Sequence, residues 1–320
     1  PGHALIIKKD GGVGEVECIA PKERKACSFE RIYFSRGSDF EIYQERKMLG
    51  KLLVPTILDR INYNIEHTVF SYIPNTAEVA FLGMVEEVQK QHVQKNIKDF
   101  NDGKITSQDD FQKQLSIMPR IEKIAVKDVK LRTFITDDTS RNDLVHHVYD
   151  VTYGIVNNDA DTLVVLDDSI VRGTTLKESI LTMLDRLQPK KIIVVSSAPQ
   201  IRYPDCYGID MSKMGSFVAF QAAIALWKDS DRYHVLQDLY KRCKEEIQKP
   251  IVDMQNLVKE VYAPFTAEQI SAKISDIVKP QHIFAQVEVI YQTIEDLHKA
   301  CPNNTGDWYF TGDYPTPGGN

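Results

Sequence analysis

The sequence predicts an α/β fold, a mostly parallel sheet flanked by helices, with a C-terminal helical appendage. Three observations predict it. First, Leu163–Leu166 is a short, β-branched apolar run that stops at an acidic pair, Asp167-Asp168, as a strand covered on both faces does. Second, Leu176, Ile180, Leu181, Leu184 and Leu187 recur at helical spacing, Pro189 ends that helix, and Ile192–Val195 forms another apolar run. Strand, helix and strand in this order make a right-handed crossover between parallel neighbours. Third, beyond residue 218 the pattern is almost wholly helical.

The bounds are those of an ordinary globular chain. With 320 residues, 42% of them hydrophobic, the length suits one large domain or one domain with an appendage. A formal charge of −6 without a basic run argues against nucleic-acid binding. No apolar stretch reaches the roughly 18 residues of a membrane span and no signal peptide is visible, so the cytoplasm is the expected location. Five scattered cysteines read as reduced thiols rather than a disulfide framework.

In chain order, Ala4–Ile7 reads as a strand. Cys27–Phe34 alternates aromatic and aliphatic residues before a turn at Gly37-Ser38-Asp39, and Tyr43–Leu53 has helical spacing. His67–Ile73 is a candidate strand, Pro74-Asn75-Thr76-Ala77 a turn, and Val79–Val88 the helix it opens. Residues 87–120, polar and charged with helical stretches near Gln89–Phe100 and Ser107–Leu115, read as a helical insertion without chemistry. Lys127, Lys130 and Arg132 cluster before the central strand, where a solvated basic cluster is the plain alternative. His146-His147 has no third partner at zinc spacing and reads as surface and packing. Ala219–Trp227, Tyr233–Ile247 and Val252–Val261 carry helical periodicity. Thr266 to Gln269 is a capping box, and Gly312–Asn320 is an irregular tail.

The chemistry concentrates after the central strand. Gly173 supplies the positive φ a tight loop needs, and Thr174 and Thr175 stand where the next helix begins. A helix N-terminus with hydroxyls from Ser169, Thr174 and Thr175, and Arg172 beside it, is a receptor for a phosphate dianion. Asp167 and Asp168 suit a diol, a cation, or both. A sugar phosphate with a magnesium-bound group meets all three demands. A phosphoacceptor pocket or a helix cap remains open on this pattern alone. The turn at Pro74-Asn75-Thr76 offers a second set of backbone amides to an anion. Arg36 is a further phosphate candidate, against its reading as a surface charge.

Asp167-Asp168-Ser169-Ile170-Val171-Arg172-Gly173-Thr174-Thr175 resembles the phosphoribosyl pyrophosphate (PRPP) signature of the type I phosphoribosyltransferases. Within them, its wording is similar to the glutamine PRPP amidotransferases. Further similarities follow in order: Pro1-Gly2 with Ala4–Ile7, Ala26–Arg36, Ile73–Thr76, Leu131–Ile135, Ser196 to Asp210, and Phe310–Thr316. The resemblance implies the type I phosphoribosyltransferase fold and an amidophosphoribosyltransferase of purine biosynthesis. Asp167 and Asp168 are then catalytic and hold the ribose hydroxyls and magnesium, while Ser169, Ile170, Val171, Arg172, Gly173, Thr174 and Thr175 bind the 5-phosphate. Pro74, Asn75, Thr76, Lys127, Lys130 and Arg132 bind pyrophosphate, the last three from a mobile loop. It also implies three units: residues 1–25 as a linker strand remnant after an N-terminal glutaminase domain that this chain lacks, 26–226 as the phosphoribosyltransferase domain, and 227–320 as the helical extension. PRPP and ammonia would be the substrates, and the chain a homo-oligomer with no nucleic-acid or membrane partner.

Two departures from the family pattern matter. Asn75 and Ala77 stand where relatives carry an acid and a magnesium-binding serine, and Tyr309 and Gly306 stand where some relatives have cysteines of an iron-sulfur cluster, with Cys206 displaced and only Cys27 in register. A cluster is therefore not expected. A PRPP-sensing module and a phosphoribosyltransferase acting on a nucleobase stay open as alternatives.

Overall fold

Thr68–Tyr72 (β3), Thr162–Asp167 (β7) and Lys191–Ser196 (β8) are buried almost throughout, which is why β7 and β8 carry unbroken apolar runs rather than an alternating pattern. In the computed structural model they form the centre of a five-stranded sheet of order β4-β3-β7-β8-β9, with Arg120–Ile121 as β4 and Gln286–Tyr291 as β9. Every pairing in it is parallel. The structure describes residues 2–20, 23–127, 149–207 and 211–316. Among these, two further two-stranded sheets are antiparallel: His3–Ile7 (β1) with Val13–Glu17 (β2), and Ala125–Lys127 (β5) with Tyr149–Val151 (β6).

Phe40–Arg60 (α1) starts at Asp39, whose carboxylate accepts from the amides of Glu41 and Ile42, an N-cap by a short acidic side chain. Glu78–Asn101 (α2) runs antiparallel to it. The two meet through Gly50 and Gly83, and a Cβ at Gly83 would lie 2.0 Å from the Lys47 carbonyl oxygen. Together they cover one face of the sheet with Leu53, Val54, Ile57, Phe81, Met84 and Val88.

The helix after the Pro74 turn does not stop near Val88, as expected, but continues to Asn101. The region of residues 87–120 is therefore the outer half of α2 folded back on Gln108–Ser116 (α3), which Ser107 caps at 3.0 Å. Phe100 stacks on Phe111, and buried His92 meets the Gln114 carbonyl. Cys27–Phe34 is another difference. Its alternation reads as a strand, yet Glu30–Phe34 is a wide helical turn that buries Phe29 and Ile32 three residues apart, and Cys27 alone bridges to Gly306. Contacts across the fold override local propensity there.

The opposite face carries Leu181–Asp185 (α4), which continues the wide turn Leu176–Ile180, then Val218–Asp229 (α5), Tyr233–Glu246 (α6) and Lys259–Tyr262 (α7). Ala267–Val278 (α8) begins at the expected Thr266–Gln269 capping box. The sheet crosses the boundary expected at residue 226: β9 returns from the C-terminal segment and pairs with β8 over six residues. That segment is therefore not helical alone. Ile294–Ala300 (α9) and Trp308–Thr311 (α10) close an aromatic core with Phe29, Phe217 and Tyr309. Among the described residues no helix is long and apolar enough to cross a membrane.

Candidate functional site at the carboxyl edge of the sheet

The acidic pair sits where the central strand ends. Asp167 is the last residue of β7, paired with Ser196, and Asp168 begins the loop. The loop is fixed by its backbone: the Ser197 amide donates to the Asp167 carbonyl at 2.9 Å and the Ser197 hydroxyl to the Asp168 carbonyl at 3.1 Å. The Asp168 amide donates to Asp167 Oδ1 at 2.9 Å, and the Ser169 hydroxyl to Asp168 Oδ1 at 3.0 Å.

Gly173 takes φ +71°, and a Cβ there would approach Val278 to 3.1 Å and Val218 to 3.3 Å. The Val218 amide bonds the Val171 carbonyl at 2.9 Å, so the loop is clamped onto α5 and α8. Thr174 and Thr175 are exposed at the helical start, the arrangement that suits an anion. Ile170 is buried and Val171 half-buried against apolar neighbours.

The second loop arrives through β3. The Ile73 amide donates to the Leu166 carbonyl at 2.8 Å, which sets Pro74-Asn75-Thr76 beside the end of β7. The Pro74–Asn75 peptide is cis. Asn75 is exposed, and Thr76 hydrogen-bonds the Asp168 carboxylate. Ala77, buried at 1%, begins α2 without a side-chain cap. Lys127 ends β5, opposite Tyr149. Lys130, Arg132 and His146-His147 lie outside the described residues. Arg36 is exposed. The segment from Tyr203 is pinned to the aromatic C-terminal core, where the Tyr309 hydroxyl donates to Asp205 at 2.5 Å.

Two residues at the site are not among the candidates the sequence offers, although Tyr33 lies within the Ala26–Arg36 stretch. Arg46, in the middle of α1, is 6% exposed; it donates to the carbonyls of Arg31 (3.0 Å) and Ser35 (2.9 Å), and its charge bears on Asp168. Tyr33 is 37% exposed, and partial burial, then the charges of Asp168 and Asp167, raise its phenol. Only the meeting of α1 with the sheet edge brings them there.

Burial, and then the charge of Asp168, push the Asp167 carboxyl well above the usual carboxylate range; the Asp168 amide opposes this. Burial also raises Asp168, against the Ser169 and Thr76 hydroxyls and Arg46. Two half-buried carboxylates that resist double ionisation call for a positive partner. Among the described residues no three His, Cys, Asp or Glu side chains gather to hold a metal. Two carboxylates nevertheless fit a magnesium ion that brings phosphate oxygens with it. A four-thiolate cluster does not fit: Gly306 is bound in the Cys27 bridge and the Tyr309 ring is packed in the aromatic core.

No family model matches the chain. The amidophosphoribosyltransferase of Pseudomonas aeruginosa is 27% identical over 226 residues, 68% of this chain and 38% of its own length. That of Escherichia coli is 28% identical over 223 residues, again 68% and 38%. The chain is thus similar to amidophosphoribosyltransferases over 68% of its length. It spans 38% of the length of these relatives, and the stretch corresponds to their phosphoribosyltransferase portion. The glutamine PRPP amidotransferase from B. subtilis, solved with ADP and GMP, matches 99% of this chain and 52% of its own at a TM-score of 0.55 and 23% identity. A structure described as the allosteric regulatory enzyme of purine biosynthesis matches at a TM-score of 0.57 and 23% identity, over 99% of this chain and 51% of its own. The fold is that of the type I phosphoribosyltransferases.

Proposed function

We propose that this chain catalyses the synthase step of an amidophosphoribosyltransferase: ammonia and the magnesium salt of PRPP give 5-phosphoribosylamine and pyrophosphate, the first step of purine synthesis. The observation that carries the proposal is the meeting of two anion-binding loops at one acidic pair, with Thr76 of the second loop bonded to Asp168 of the first. A ligand with phosphate groups at both ends and hydroxyls between them matches that spacing of groups. Nitrogen attacks C1 as the C1–O bond breaks with inversion; the electron pair leaves on pyrophosphate and the ammonium product sheds its extra proton to solvent.

Each part of the chain has one task. Ser169, Arg172, Thr174, Thr175 and the backbone through Gly173 hold the 5-phosphate, a remote group whose binding energy positions C1. Asp167 and Asp168 hold the ribose hydroxyls and the substrate's magnesium, and their field favours the positive charge that develops on the ring. The Pro74–Thr76 turn, with Lys127, Lys130 and Arg132, takes the pyrophosphate. No general base is needed for neutral ammonia. In the whole protein a glutaminase domain would supply that ammonia, in a cytoplasmic homo-oligomer.

The test is pyrophosphate release from PRPP, magnesium and ammonium chloride at alkaline pH, with the double variant Asp167→Asn, Asp168→Asn beside it. Ammonia-dependent release that the double variant lacks supports the proposal. PRPP binding without release, whatever the acceptor, would instead favour a PRPP-sensing module; Ala77, which puts no hydroxyl at the start of α2, is the feature on that side.

A further inference from the structure

The carboxyl ends of three neighbouring strands place Asp167, Ser196 and Tyr291 in one row: Asp167 pairs with Ser196 and Ser196 with Tyr291. All three belong to the same face. Leu163 and Val165 on β7, Ile192 and Val194 on β8, and Val287 and Val289 on β9 pack into one core layer, and the next alternate residue on each strand is the one in the row. Two strand spacings, roughly 10 Å between backbones, separate Asp167 from Tyr291. The residue between them is a serine whose short side chain folds back to the Ala198 carbonyl at 2.8 Å. A tyrosine side chain is long enough to reach an aspartate across so short a residue.

The Tyr291 hydroxyl is buried and has no hydrogen-bond partner among the described residues. A buried hydroxyl in that state destabilises the fold where phenylalanine would not. Its neighbour Gln292 is fully engaged, donating to the Leu49 carbonyl at 2.9 Å and through its amide to Ser196 at 3.1 Å. Asp167 is the charge that bears on the Tyr291 phenol. The Asp168 amide already occupies Asp167 Oδ1, which leaves Oδ2 for a second donor.

We propose that Tyr291 is a positioning residue for Asp167: its hydroxyl donates to the Asp167 carboxylate when the sugar phosphate is bound and holds that carboxylate toward the ribose. The inference rests on the PRPP reading of the site. It assigns the returning strand β9 a part in ligand binding, beyond closing the sheet.

A double-mutant cycle tests it, with PRPP and magnesium titrated calorimetrically into the wild type, Tyr291→Phe, Asp167→Asn and the pair of substitutions. Tyr291→Phe is expected to melt at or above the wild-type temperature and to bind PRPP about 10-fold more weakly, the loss of one charge-assisted hydrogen bond. In the Asp167→Asn background, measured up to millimolar PRPP, the same substitution should change affinity less than 2-fold. Equal affinity of Tyr291→Phe and wild type, or an equal loss in both backgrounds, overturns the inference and leaves the PRPP reading standing. Failure of the wild type itself to bind PRPP overturns both.

Discussion

Gly83→Ala tests how the fold holds the second loop. The added Cβ would lie 2.0 Å from the Lys47 carbonyl oxygen, 2.7 Å from its carbon and 2.8 Å from Lys47 Cα. All three are backbone atoms of a helix, so no rotamer change relieves the clash. An ordinary contact of about 3.4 Å requires α1 and α2 to separate by roughly 1.4 Å, the difference between 3.4 and the 2.0 Å observed. A radial gap of about 0.5–1 Å already forfeits a quarter to a half of the dispersion energy of each contact. The facing side chains are Leu53, Val54, Ile57, Phe81, Met84 and Val88. The expected loss is about 3–5 kcal/mol, at or above the upper end for overpacking. Urea denaturation measures it, with Gly215→Ala as the control, since nothing lies within 4 Å of a Cβ there. The loop Pro74–Thr76 leads directly into α2, so PRPP affinity should fall with stability. A Gly83→Ala protein within about 1 kcal/mol of wild type would refute the close-packed helix pair.

Other substitutions probe the charges and thiols. Asp161 is fully buried and accepts from Arg120 and the Asn157 amide, both at 2.7 Å; burial alone would raise its carboxyl, but those donors outweigh it and hold it low. Asp161→Ala should cost about 3–5 kcal/mol at neutral pH. A depressed carboxyl stabilises above its unfolded value, so the difference should shrink as pH falls below about 4, read by urea denaturation at both pH values. The Asp167 carboxyl is raised by burial and Asp168, and a raised group stabilises at low pH and loses that contribution as pH rises through its folded value. Ligand-free Asp167→Asn should therefore melt higher than wild type at neutral pH and equal to it below about pH 4; a lower neutral melting point would contradict the strained pair. Burial pushes the Cys301 thiol up to about 12, so alkylation at pH 8 should label exposed Cys18 first and leave Cys301 unmodified by mass spectrometry.

The strands at the centre of the sheet were legible because burial on both faces leaves an unbroken apolar run, as in Leu163–Leu166. β9 escaped the same reading. As an edge strand it mixes Gln286 and Glu288 with its valines, and Glu288 pairs with Lys191 and Arg60 at the surface. The helix starts at Asp39, Ser107 and Thr266 follow from capping chemistry that is local in sequence. The two candidate loops were readable for the same reason, since glycine, hydroxyls and a helix start are neighbours in the chain. Arg46 reaches them only through the packing of α1 on the sheet edge, and nothing within a few residues marks it; Tyr33 lies in the Ala26–Arg36 stretch, but the local pattern does not show that it faces the carboxylates.

The sheet also gives two adjacent carboxylates different surroundings, although the charge of Asp168 still raises Asp167. Asp167 continues the alternation that faces α5 and α8, and Gly173 of the same loop packs on Val218 and Val278 of those helices. Asp168, one residue on, turns to the other side, toward Thr76 at the start of α2 and Arg46 of α1. One packed layer therefore fixes the Gly173 loop with Asp167, and the other fixes the Pro74–Thr76 loop with Asp168. Close packing transmits a shift in either layer to its own carboxylate, while the strand ends between them hold the pair together. A substrate that spans both loops is the one ligand whose binding depends on both layers at once.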